Sequence, residues 1–228
     1  FDTEDTVPIL CQGLRENVGL ATIKLDNCQL NGGELADILV ALSHHPTVKD
    51  VSVALNMADI DTITAAANLL FGQGTTSGAA SDDVSGGCLE KLNLGQQYAG
   101  LFRNANVLYD SLRTNNQLKS LCLCENYLFR SQITDLVHAL TENHTLEELN
   151  LQDCDLRREG IEQIIGSLSH YPSLRKLWLR NNCTLHSADR AINLSQVLVR
   201  EMALNHILQV LDIDEWWVSD KNQLHLVN

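Results

Sequence analysis

Aliphatic residues return along this chain in one short pattern. Leu20, Ile23, Leu25, Cys28 and Leu30 follow the form L-x-x-L-x-L-x-x-N/C-x-L. The form recurs at Leu118-Leu121-Leu123-Asn126-Leu128, at Leu146-Leu149-Leu151-Cys154-Leu156 and at Leu174-Leu177-Leu179-Asn182-Thr184. Four of the intervals between copies are 28 or 29 residues. The L-x-L core alternates, which predicts a short strand with both leucines on one face and the residue between them on the other. The Asn or Cys then closes a turn, where its side chain satisfies backbone groups that the bend leaves unpaired. Beyond the turn the apolar spacing becomes helical. Leu35, Ile38, Leu39 and Leu42 carry it in the first unit, and Ile161, Ile164, Ile165 and Leu168 in the fifth. Pro46 and Pro172 follow these helices and block their continuation.

Several units depart from the pattern. The second reads Val48-Val51-Val53-Asn56 with Ala58 in the last column. The third, Leu89-Leu92-Leu94, is degenerate, with Gln97 and Ala99 in its last two columns. The seventh is Leu208-Leu211-Ile213, with Trp216 and Val218 there. Residues 7–17 fit the helical half of an earlier unit. Between the second and third copies, residues 72–87 are rich in Gly, Ser and Thr, which predicts a flexible insertion. A second insertion lengthens the sixth helix to about residues 188–204.

A strand-turn-helix unit of fixed period predicts an α/β solenoid: a right-handed horseshoe arc, with a parallel β-sheet of about seven strands on its concave face and helices on its convex face. The period, the helix in each unit and the quoted core resemble the ribonuclease-inhibitor-like leucine-rich repeats over nearly the whole chain. The expected organisation is one leucine-rich repeat domain over residues 1–228, as a fragment of a longer protein. Members of this class are mostly intracellular and act by binding other proteins. The resemblance therefore implies a protein-interaction module or scaffold in the cytoplasm or another intracellular compartment.

The formal net charge is −13, and an acidic chain is a poor nucleic-acid binder, because phosphate recognition needs clustered Lys and Arg. Residues 1–100 hold most of the excess. No apolar run is long enough to span a membrane. The seven cysteines are odd in number and scattered, which argues for reduced thiols. Cys28 and Cys154 occupy the Asn/Cys column, where a buried thiol is expected. Asn143, Asn182 and Asn193 begin glycosylation sequons that are read as chance matches.

The outward positions locate a candidate surface. In the fourth to seventh units they gather Tyr127, Trp178, Arg180 and Trp217 beside Glu125, Asp153, Asp155, Asp212, Asp214 and Glu215. Aromatic side chains supply buried area at low entropy cost, and carboxylates pair with Arg or Lys across an interface. In the ribonuclease inhibitor, which this chain resembles, the concave face binds a basic protein. The expected partner is therefore a protein with a basic surface. One alternative is packing of Trp178 on Trp217.

No catalytic motif is present: no G-x-S-x-G, H-E-x-x-H, dinucleotide fingerprint or phosphate loop. The Gly-rich insertion lacks the Lys-Ser/Thr ending of a phosphate loop. His44, His45, His138, His144 and His170 fall near helix ends and return loops, as capping or surface residues. Cys122 and Cys124 form a C-x-C pair, too few ligands for a tetrahedral metal site. The expectation is a non-enzyme with no catalytic, metal or cofactor residues. Two other functions stay open. One is a structural subunit of a larger multiprotein assembly. The other is a GTPase activator of the Ran-activator type, since one member of this fold class has that activity.

Overall fold

The L-x-L cores form seven strands of three residues each. They are β1 (Thr22–Lys24), β2 (Asp50–Ser52), β3 (Lys91–Asn93), β4 (Ser120–Cys122), β5 (Glu148–Asn150), β6 (Lys176–Trp178) and β7 (Val210–Asp212). All pair in parallel and in chain order to make one sheet. The computed structural model describes residues 6–43, 45–71, 88–97, 105–182 and 194–214. The insertion at 72–87 and the motif positions Ala99, Asn193, Trp216 and Val218 lie outside them. Each described crossover carries a helix: α2 (Gly32–Leu42), α3 (Ile60–Phe71), α4 (Asn106–Thr114), α5 (Arg130–Glu142), α6 (Arg157–Ile165) and α7 (Ser195–Leu204). A helix α1 (Thr6–Glu16) precedes β1, in the place of an earlier unit's helix. The result is a right-handed leucine-rich repeat solenoid, with the sheet lining its concave side and the helices its convex side.

The register stacks the first inward residues of each strand as Ile23, Val51, Leu92, Leu121, Leu149, Leu177 and Leu211. From Val51 to Leu177 these side chains are fully buried, as are Val53, Leu94, Leu123, Leu151 and Leu179 two positions on. The helices close the core from the other side with Leu35, Ile38, Leu39, Leu108, Leu136, Ile161, Ile164 and Ile165, all buried. Each such side chain contributes about 2 kcal/mol relative to exposure.

Asparagine side chains bind one repeat to the next. Asn56 Oδ1 accepts from the Cys28 and Leu30 N–H groups of the preceding unit, each at 3.1 Å. Its Nδ2 donates to the Leu25 carbonyl behind it at 2.8 Å and to its own Val53 carbonyl at 3.0 Å. Asn126 and Asn182 repeat this arrangement. Gln97, degenerate by sequence, occupies the same place: it accepts from Ala58 N at 3.2 Å and donates to the Val53 carbonyl at 3.0 Å. At Cys154 the thiol supplies the donor, reaching the Leu123 carbonyl at 3.1 Å. Cys28 departs from expectation: its thiol is exposed and reaches only the Asp26 carbonyl, at 3.6 Å. Among the described residues β1 is the edge strand of the sheet, with no turn of an earlier unit behind Cys28.

A second ladder runs through the return loops. Asn17, Asn115, Asn143 and Asn205 each accept from the N–H groups two and three residues on. His45 takes the same role through Nδ1, which accepts from Thr47 N and Val48 N at 3.3 Å. Of the two roles expected for it, capping or surface, it takes the capping one, and it is buried. Asn143 and Asn182 are both buried and hydrogen-bonded through Nδ2, which leaves neither amide accessible to a glycan.

Substitutions at two positions separate satisfied from unsatisfied polar groups. Asn126→Ala removes the side-chain partner of the Leu94 carbonyl and of the Gln97 N–H, while the Leu123 carbonyl keeps the Cys154 thiol, and should lower unfolding free energy by about 2–4 kcal/mol. Asn126→Cys keeps a donor and should lose less. The buried Tyr109 hydroxyl, by contrast, has no hydrogen-bond partner among the described residues. Tyr109→Phe should leave stability unchanged or raise it, by up to about 1 kcal/mol. Urea unfolding followed by circular dichroism measures both.

Candidate functional site

The predicted outward residues divide between two surfaces, because the backbone changes direction directly after each strand. Asn27, Leu55, Gln96, Glu125, Asp153 and Asn181 share one column, and all have φ between 54° and 59°. This left-handed conformation disfavours a side chain, and Asn and Asp tolerate it best. It turns each residue's N–H toward the next repeat: Glu125 N donates to the Gln152 carbonyl at 2.7 Å and Asp153 N to the Arg180 carbonyl at 3.0 Å. Residues before the turn face the concave side, here Trp178, Arg180, Asp212 and Asp214. Those from the turn onward, Glu125, Tyr127, Asp153 and Asp155, form a rim beside it. Glu215 and Trp217 lie outside the described residues, as does any contact between Trp217 and Trp178.

On the concave face the acids already have partners. Arg180 forms an ion pair with Asp212. Asp214 Oδ2 accepts from Asn181 N at 2.9 Å, replacing the carbonyl that ends this ladder in the earlier repeats. Partial burial pushes the Asp214 carboxyl up from its ordinary range, against the attraction of Arg180. Trp178 is half-buried and stands in register between Asn150 and Asp212. Nearby, Lys176 pairs with Glu148 at 2.6 Å, and this hydrogen bond holds the Glu148 carboxyl low.

The rim is different in kind. Tyr127 and Phe129 are 45% and 37% exposed, with ring centroids 5.4 Å apart and planes tilted by 58°. The Arg157 guanidinium donates to the Tyr127 hydroxyl at 3.2 Å and lies 3.7 Å from Asp155. Arg157 also has a positive φ, 54°, so the backbone is bent where this arginine reaches back to the preceding repeat. Glu125 accepts from Gln96, and Asp153 Oδ2 accepts from Asn181 Nδ2 at 3.2 Å. Both carboxylates remain exposed. Phe129 and Arg157 were absent from the sequence-based set. They fall just past the repeat motif, where the column reads as the start of a helix.

The central strand carries the two cysteines. Cys122 Sγ and Cys124 Sγ lie 3.2 Å apart, and both side chains are half-buried. The hydrogen bond with Cys124 draws the Cys122 thiol down to about 7, against burial and the charges of Glu125 and Asp26. The same contact, with burial, pushes Cys124 up. Among the described residues no group of three Cys, His, Asp or Glu side chains is placed to hold a metal ion.

The opposite edge, along the return loops, holds an open groove of about 530 Å³ lined by Lys119, His144, Arg175, His206 and Glu147. Lys119 and Lys49 both bind Glu90 at 3.0 Å, and Arg175 lies 3.7 Å from Glu147. This interleaving neutralises the groove's lysine and arginine.

No protein-family model and no curated protein matches the chain. Among solved structures it is similar to the actin-binding site 2 domain of leiomodin-1. The identity is 16%, with 87% of this chain and 90% of that one covered and a TM-score of 0.44. It is also similar to the C-terminal domain of tropomodulin from Caenorhabditis elegans, with 11% identity, 87% and 94% covered and a TM-score of 0.41. Among the described residues no helix is long and apolar enough to cross a membrane.

Asp214 offers a test of this internal pairing. Its carboxyl is raised above the ordinary value of 3.8, so its charge costs stability at neutral pH and the cost disappears on protonation. Asp214→Asn keeps an oxygen for the Asn181 N–H and removes the charge. Its melting temperature at pH 7 should equal or exceed that of the wild type, and the difference should close below pH 3.8, on thermal melts across pH.

Proposed function

We propose that this solenoid is a protein-interaction module whose binding surface is centred on the rim at the fourth and fifth repeats, with a basic protein as partner. The exposed Tyr127–Phe129 pair, bracketed by Arg157, carries the reading. Tyr and Arg are enriched where interfaces concentrate their binding energy, and rigid rings lose little entropy on burial. The rim pair is already held in place, Tyr127 by its hydroxyl and Phe129 by its position at the N-terminus of α5. Preorganisation of this kind reduces the ordering cost of association. Glu125 and Asp153 flank the rings as exposed carboxylates and supply the preference for Lys or Arg on the partner. Trp178 extends the surface onto the concave face. Asp212, Asp214 and Arg180 hold the last strands together and have the smaller part in recognition.

Affinity capture with the wild type, a Tyr127→Ala/Phe129→Ala double variant and Val40→Ala, a control on exposed helix surface, tests the proposal. A partner retained by the wild type and the control should be lost by about tenfold or more with the double variant, the effect of removing a hot-spot contact. Glu125→Lys should slow association and weaken its salt dependence. Equal recovery by all variants, with melting temperatures unchanged, would remove the rim from the interface.

A further inference from the structure

We propose that Cys122 and Cys124 form a dithiol site that is reversibly oxidised to an intramolecular disulfide by low-molecular-weight disulfides. It lies at the centre of the concave face, next to the rim surface, and its chemistry does not depend on that surface binding a partner. Cys122 ends β4 and Cys124 follows two residues later in extended continuation of the strand, and their sulfurs lie 3.2 Å apart. Closure to a bond requires an approach of little more than an ångström, since a disulfide spans about 2.05 Å.

The neighbouring repeats leave room for the pair. A Cβ on Gly95 would stand 2.8 Å from Cys124 Sγ, so a side chain there would displace the sulfur. Asn93 and Asn150 flank Cys122 in register and are uncharged. Their amides bond elsewhere: Asn93 to Ser52 Oγ and Gly95 N, Asn150 to Gln152. Neither of these amides takes the place of the sulfur–sulfur contact. Cys11 and Cys154 are buried, and burial pushes both thiols up, which keeps them inert.

The reaction proceeds in two exchanges. The Cys122 thiolate attacks one sulfur of the small disulfide, forming a mixed disulfide and releasing one thiolate. Cys124 then loses its proton to water and attacks Cys122 Sγ, releasing the second thiolate. Two protein thiols lose two electrons and two protons, and the small disulfide becomes two thiols. Cys124 stabilises the attacking thiolate by its hydrogen bond in the first step and resolves the adduct in the second. Oxidation removes the thiolate charge beside Glu125 and ties the end of β4 to the turn that begins the rim.

The test uses the chain with Cys28, Cys88 and Cys183 replaced by serine, treated with glutathione disulfide. Mass spectrometry then follows the tryptic segment between Lys119 and Arg130. The expected product has lost two hydrogens and carries no glutathione, and dithiothreitol restores it. Cys124→Ser should accumulate a stable glutathione adduct at Cys122, and Cys122→Ser should react about tenfold or more slowly at Cys124. Two results overturn the proposal. One is a stable adduct on the pair in the otherwise wild-type segment. The other is equal reaction rates for both single variants and for the urea-unfolded chain.

Discussion

A solenoid must satisfy the backbone at every bend, and at the turn after the strand the work falls to one side chain per repeat. The turn after each strand points N–H and C=O groups into the core, where an unpaired group costs roughly 1–3 kcal/mol. Asn56, Gln97, Asn126 and Asn182 meet that demand with an amide, which donates and accepts at once. Apolar stacking is non-directional and would tolerate a range of spacings between repeats. The amide fixes the spacing, because it must reach two repeats simultaneously. The strand register, the left-handed turn and the placement of the rim side chains follow from that restriction.

Much of this was legible in the sequence. The leucine columns placed all seven strands and the core faces of the helices, because burial imposes a period that composition cannot hide. Other features were harder to read. Gln97 looked like a lost repeat position, yet a longer amide reaches the same groups. The return-loop ladder was visible as Asn three residues before the first leucine of the motif at positions 17, 115, 143 and 205. At Asn143 a glycosylation sequon offered a competing meaning. The left-handed column was only half legible: Asn27, Asp153 and Asn181 suit it, but Leu55 and Glu125 are poor residues for it and tertiary hydrogen bonds impose it there.

The candidate surface was legible as a set of positions and less so as a shape. Alternation tells which side chains leave the core, but not where the chain bends after the third strand residue. The bend separates Tyr127 and Asp155 from Trp178 and Asp212, and it brings Arg157 from the next repeat onto Tyr127. Counting carboxylates also overstated the charge available to a partner. Arg180 and the Asn181 amide occupy two of them within the fold, and Lys49 and Lys119 likewise occupy Glu90. The charge of a surface is set by what its groups already hold.

The asparagine ladder also has a direction. Asn56 completes the turn of the unit before it, and Asn182 does the same for the unit of Cys154. Each turn is therefore finished by residues that lie later in the chain. During synthesis, which delivers the N-terminal end first, every newly made repeat waits with open backbone groups until about one more repeat has emerged. A turn of this array is thus complete only when the repeat that follows it is in place.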